Sequence, residues 1–168
     1  MTQFQVFNDI KIINQSNFRD KRGLLWTTWR RGLFKNFKFN HDKFSLSKKN
    51  TLRGFHCDFK SWKLITSIYG KFLFVVVDVR KNSKNFLKHK KWIIDYKKPK
   101  LILIPPYYAN AHLCLTDICI LHYKWSYKGK YIDASNQKSF LWNDPKINVN
   151  WPVKKPILSN RDKKAKTI

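Results

Sequence analysis

Residues 63–80, KLITSIYGKFLFVVVDVR, limit the possible folds more than any other part of the chain. Two runs of β-branched and aromatic residues flank Tyr69-Gly70-Lys71, a pattern that reads as a hairpin. Side chains alternate along a strand, so in the second run Phe72, Phe74 and Val76 share one face and Leu73, Val75 and Val77 the other. Both faces are apolar. Such a strand has no side to give to water and belongs inside a sandwich or closed barrel. Further short strands are expected at WIIDY (92–96), at LILI (101–104) before Pro105-Pro106, and in HLCLTDICILHYKWSY (112–127), which holds two strands around Thr116-Asp117. Their recurrence predicts an all-β sandwich or barrel. Helix signals are weak: SLSKKN (45–50) reads as a turn or short helix, and KNSKNFLKHKK (81–91) as a helix or a loop.

The chain has 168 residues, enough for one domain with a sizeable core, so residues 1–168 are read as a single domain. The lysine-rich residues 163–168 are expected to form a mobile tail. Thirty-five Lys and Arg against ten acids, all aspartate, give a formal charge of +25. That field fits an anionic partner: a small phosphorylated substrate or a polyanion. It also fits lysines scattered over a solvated surface. No single basic block dominates, which argues against a specific nucleic-acid partner. The run FLFVVVDV (72–79) is far too short to cross a bilayer, so no membrane insertion is expected. Cys57, Cys114 and Cys119 have neither disulfide-framework nor zinc spacing and read as buried, reduced thiols of a cytoplasmic protein.

The stretch NTLRGFHCDFKSWK (50–63) carries chemistry that a core strand has no use for. Arg53 and His56 sit at odd spacing, so a regular strand would point them to opposite faces. Both can line one pocket only if the strand bends, and Gly54 between them is the residue type that marks a bulge or a close backbone approach.

A set of motifs follows in order: FRDKRG (18–23), LRGFH (52–56), KLITSIYGKFLFVVVDVRKNS (63–83), LIPPYYANAH (103–112), HYKWSYKGKY (122–131), LWNDPKINVNWP (141–152) and PILSNRD (156–162). In this combination the chain resembles the dTDP-4-dehydrorhamnose 3,5-epimerase family, the RmlC-like cupins, from about residue 18 to residue 162. The resemblance implies a double-stranded β-helix, a cupin jelly-roll barrel with short peripheral helices, usually as a homodimer. It also implies a reaction: inversion at C3 and/or C5 of a nucleotide-diphosphate-linked 4-keto sugar, without a cofactor, in the synthesis of cell-surface polysaccharide precursors. A proton alpha to a ketone needs a positioned base, the enolate needs a cation or donor at its oxygen, and inversion needs an acid on the opposite face.

The resemblance makes His56 the base, Asp162 its partner, Lys63 the enolate stabiliser and Tyr123 the acid. Arg53 and Arg22 resemble substrate-contacting arginines, whose guanidinium forks suit diphosphate oxygens. The chain departs from the family pattern in places. The segment between His56 and Lys63 is short, which leaves Lys60 as a competitor of Lys63. Asn110 falls where the family commonly has a histidine, while His112 lies two positions on, on the same strand face, where it can take over part of that role, so both are read as substrate-binding candidates. Gln137 and Thr27 fall near or on usual glutamates, with Gln137 a substrate-binding candidate. The YKGKY run and the displaced His112 are more like relatives acting on GDP-linked 4-keto heptoses. The chain has no His-x-His and no glutamate, so no metal site is expected. Two other activities fit the same fold: a 3,4-ketoisomerase, and a non-catalytic barrel that binds sugar nucleotides or polyanions.

Overall fold

The computed structural model describes residues 7, 9–131 and 133–168. Among the described residues twelve strands follow one another: β1 (Lys11–Asn14), β2 (Asn17–Asp20), β3 (Gly23–Trp26), β4 (His41–Lys48), β5 (Leu52–Asp58), β6 (Trp62–Tyr69), β7 (Lys71–Asp78), β8 (His89–Asp95), β9 (Lys100–Ile104), β10 (Tyr108–Cys114), β11 (Ile118–Ser126) and β12 (Gln137–Ser139). A short helix, α1 (Asn160–Lys163), follows near the C-terminus. Two five-stranded antiparallel sheets, ordered β1-β9-β6-β11-β4 and β12-β5-β10-β7-β8, form the double-stranded β-helix. The pair β2-β3 forms a separate two-stranded arm.

The two apolar faces of β7 go where alternation requires. Phe72, Phe74 and Val76 join Ile65, Ile102, Leu121 and Tyr108 between the sheets. Leu73, Val75 and Val77 pack outward beneath Phe140, Ile147 and Trp151 of the C-terminal segment. Each such side chain, once fully buried, contributes about 1.5–3 kcal/mol, so covering the outer face is as necessary as filling the inner one. A third cluster, Leu64, Leu101 and Leu103, closes the outside of the first sheet beneath Phe34, Phe37 and Phe39.

The expected hairpin at Gly70 does not form. β6 and β7 meet at this glycine but enter different sheets, β6 between β9 and β11 and β7 between β10 and β8. Because both strands are buried on both faces, each needs strand neighbours on both edges and cover on both sides, and crossing between the sheets supplies this. Gly70 permits the corner: its φ is +76°, and a Cβ there would lie 2.4 Å from the Ile118 carbonyl oxygen. The segment read as SLSKKN is mostly strand, its first residues belonging to β4. Residues 81–88 are turns leading into β8. The C-terminal residues, expected to be a loose tail, are tied down. Phe140 bridges to Lys166, and the Ile168 N–H donates to buried Asp144 Oδ2 at 2.7 Å. Among the described residues no helix is long and apolar enough to cross a membrane.

Candidate active site

The site begins with an irregularity in β5. In the pairing of β5 with β10, Asn110 faces His56 and His112 faces Arg53, so two steps on β10 match three on β5. The extra residue lies in the segment that contains Gly54. It places Arg53 and His56 on the same face, as the sequence required of any shared pocket. Gly54 has φ +120°, and a Cβ on it would sit 2.5 Å from the Asn110 carbonyl oxygen and 2.7 Å from Ala111 Cα. Only glycine allows β5 to lie this close to β10. Leu52, Phe55 and Cys57 turn outward to the core under the C-terminal segment, leaving Arg53 and His56 facing the barrel interior.

Asp162 reaches His56 from 106 residues further along the chain, with Oδ1 2.7 Å from His56 Nε2. The approach is fixed by docking α1. Ser159 caps the helix by accepting from the Asp162 N–H at 3.1 Å, and Arg161 donates to Ser139 Oγ at 2.6 Å and to the Gln137 carbonyl at 2.9 Å. These contacts hold α1 against β12, which pairs directly with β5. Asp162 is buried while His56 keeps some exposure, so the pair can face a ligand from the His56 side. Burial pushes the Asp162 carboxyl up. The His56 hydrogen bond and charge, with the Ser159 side chain and the Gly54 N–H, outweigh it and hold the carboxyl below its usual range.

The facing sheet supplies the other groups. Tyr123 on β11 pairs with Ile65 on β6, and Trp125 pairs with Lys63, so Lys63 shares the inward face of Ile65. Lys63 is 4% exposed, whereas Lys60 is exposed on the β5–β6 connection. The fold thus separates two lysines that sequence spacing left in competition and turns Lys63 inward. The Tyr123 ring stacks on Trp125 at 5.5 Å, and its hydroxyl lies 3.4 Å from Ser45 Oγ and 3.4 Å from His112 Nδ1. Burial pushes the phenol up to about 12, against the Ser45 hydrogen bond and the Arg53 charge. Burial, aided by Arg53 and His56, pushes the His112 imidazole down to about 3, so it is neutral near pH 7.

The remaining candidates divide. Asn110 is buried and donates from Nδ2 to the His56 carbonyl at 3.1 Å, bracing the strand behind the imidazole. Arg53 donates to Ser47 Oγ at 3.1 Å and to the Leu46 carbonyl at 3.2 Å. Gln137 donates to the Tyr131 hydroxyl at 3.1 Å, and Tyr131 in turn donates to buried Asp58, two residues beyond His56 on the same strand. Arg22 is not brought to this group within the chain. It lies on the β2–β3 arm, bonded to Asp20, with its side chain 81% exposed. Among the described residues, no three His, Cys, Asp or Glu side chains gather into a metal-binding group.

Sequence reasoning missed Ser45, Lys43 and Trp125. Lys43 pairs with Tyr123 across β4 and β11 and lies over the Trp125 ring at 5.4 Å. Alternation in HDKFSLSK was the available signal: His41, Lys43, Ser45 and Ser47 fall on one face and Asp42, Phe44, Leu46 and Lys48 on the other. Reading the end of that segment as a turn or short helix hid it.

A carboxylate-paired imidazole on one wall, with a lysine and a phenol on the other, inside a cupin-type barrel, defines a class: proteins equipped to move protons on a ligand held between the sheets. Comparison with known proteins narrows this. The dTDP-4-dehydrorhamnose 3,5-epimerase family model matches residues 5–168. A Salmonella typhimurium dTDP-4-dehydrorhamnose 3,5-epimerase is 30% identical over 94% of this chain and 89% of its own length. The Bacillus anthracis enzyme of that name, solved with TDP and pyrophosphate bound, superposes with a TM-score of 0.88 at 27% identity, covering 99% of this chain and 97% of that one. A Legionella pneumophila dTDP-6-deoxy-D-glucose-3,5-epimerase in complex with dTDP-4-keto-L-rhamnose gives 0.86 at 26% identity, covering 99% and 89%. The chain belongs to the dTDP-4-dehydrorhamnose 3,5-epimerase family.

Proposed function

We propose that this protein is a nucleotide-sugar epimerase, inverting C3 and/or C5 of a nucleotide-diphosphate-linked 4-keto sugar in the synthesis of cell-surface polysaccharide precursors. The observation that carries the reading is His56 on one sheet, 2.7 Å from Asp162 of α1, with Lys63 and Tyr123 on the other sheet. A sugar ring between the walls would meet a base on one face and an acid on the other, which is the requirement for inversion. His56 takes the proton alpha to the ketone, and Asp162 orients the imidazole and stabilises the imidazolium. The Lys63 ammonium offsets the charge developing on the enolate oxygen. Tyr123 returns a proton to the opposite face. No step in this scheme needs a cofactor. Arg53 and Gln137 contact the substrate from the rim, Arg53 towards the diphosphate.

The protein works as a cytoplasmic homodimer in this reading. Phe18 and Leu25 are 61% and 73% exposed on the β2–β3 arm, an apolar surface suited to a second copy. Arg22 on the same arm would then bind substrate from the partner's side.

The test is incubation with dTDP-4-dehydro-6-deoxyglucose, and separately with its GDP-linked counterpart, in deuterated water. Deuterium entering C3, C5 or both with inversion is the expected result. Label at neither carbon with either nucleotide refutes the epimerase reading. Isomerisation to a 3-keto sugar would favour the ketoisomerase.

A further inference from the structure

The acid of the proposed reaction is poorly suited to its task unless something assists it. Tyr123 is partly buried against the inner core, and that burial disfavours the phenolate that remains once its proton has gone to carbon. Hydrogen-bond donors aimed at the phenol oxygen would relieve that cost. Two groups lie there. Ser45 Oγ is 3.4 Å away on the neighbouring strand, and His112 lies across the barrel with Nδ1 at 3.4 Å and Nε2 at 3.5 Å. His112 is 3% exposed, and its ring meets the edge of Phe72 at 5.3 Å, which fixes its plane. A neutral imidazole carries one N–H. Contacts of this length in an unliganded site commonly tighten when substrate binds.

We propose that His112 is the positioning residue that makes Tyr123 an effective acid: its imidazole N–H donates to the phenol oxygen, with the Ser45 hydroxyl as second donor. The phenol's own proton is then left to point at the sugar. In the transfer the Tyr123 O–H bond breaks, the new C–H bond forms, and the electron pair stays on the phenol oxygen. His112 keeps its proton throughout. After product leaves, the phenolate regains a proton from water and the His56 imidazolium releases one to water. The inference rests on the epimerase reading, but it separates reprotonation from abstraction, which a generic packing role for His112 would not do.

The experiment compares the wild type with His112→Leu, His112→Gln and Ser45→Ala. Each is incubated with dTDP-4-dehydro-6-deoxyglucose in deuterated water. Two rates are followed: deuterium entry into recovered, uninverted substrate, which reports abstraction by His56, and formation of inverted product, which needs Tyr123. For His112→Leu the ratio of inversion to exchange should fall by about 100-fold, the order lost with one donor to a developing oxyanion. His112→Gln keeps an N–H donor and should recover at least about a tenth of the wild-type ratio. Ser45→Ala should lower the ratio in the same direction. If both rates fall in parallel in His112→Leu, or if His112→Gln is no better than His112→Leu, the assignment is wrong. If the wild type incorporates no label at all, the epimerase reading fails first and this inference with it.

Discussion

Replacing Asp162 with asparagine isolates the charge of the candidate dyad while keeping its shape. The carboxylate is 2.7 Å from His56 Nε2 and buried, so water cannot take its place. An amide oxygen can still accept from the imidazole and the Gly54 N–H. What disappears is the countercharge to the imidazolium that forms as the proton leaves the sugar. A hydrogen bond to a charged partner contributes about 1.5–3 kcal/mol, and the upper end applies in a site closed to solvent. About 3 kcal/mol lost only in the transition state corresponds to about a 100-fold fall in kcat. KM should change little, because Asp162 sits behind His56 and does not face the ligand. Stability should fall as well. The Asp162 carboxyl titrates below its usual range in the folded protein, so its contribution is present above the unfolded pKa of about 3.9 and disappears as pH drops through the lower folded value. The variant should therefore be less stable at pH 7 and lose less on acidification below pH 4. NMR-monitored turnover of the keto sugar gives kcat and KM, and urea titrations at both pH values give stability. A kcat within threefold of the wild type, or a raised KM with kcat unchanged, would refute the assignment of the pair as the base assembly.

Three further outcomes are expected. Gly54→Ala drives a Cβ to within 2.5 Å of the Asn110 carbonyl at a φ of +120°, combining backbone strain and overpacking; a loss of about 2–5 kcal/mol in denaturation midpoint analysis is expected, and an unchanged midpoint would contradict it. His112 titrates at about 3 when folded, so between that value and the unfolded value near 6.5 the unfolded chain binds the extra proton and stability declines as pH falls; acidifying from pH 7 to pH 5 should cost the wild type about 2 kcal/mol more than it costs His112→Gln in paired urea titrations. Lys63→Met should lower kcat by about 100-fold or more, as loss of a charge at the enolate oxygen predicts, while Lys60→Met stays within a few-fold; the reverse ranking would mean that the fold's choice between the two lysines has no bearing on the chemistry.

Local chemistry made much of this protein readable before folding was considered. Two-sided apolar alternation at Phe72–Val77 is incompatible with an isolated or half-exposed sheet, so enclosure between layers followed from the chain itself. The glycine between Arg53 and His56 announced an irregular strand for the same kind of reason, since odd spacing and a common pocket cannot both hold on a regular pleat. Tertiary structure decided everything that depends on which strands become neighbours. Tyr69-Gly70-Lys71 looks the same whether the next strand turns back beside the last or crosses to the opposite sheet, and the competition of all strands for apolar cover selected the crossing. The union of His56 with Asp162 across 106 residues depends on the docking of α1 through Arg161, which no local pattern encodes. Lys63 and Lys60 differ by three positions and not at all in chemistry; only the direction of β6 and the turn before it put one inside the barrel and the other in water. Side-chain type and period act over a few residues, whereas a site is a meeting of distant residues, and that meeting is set by the free energy of closing one core around all of them.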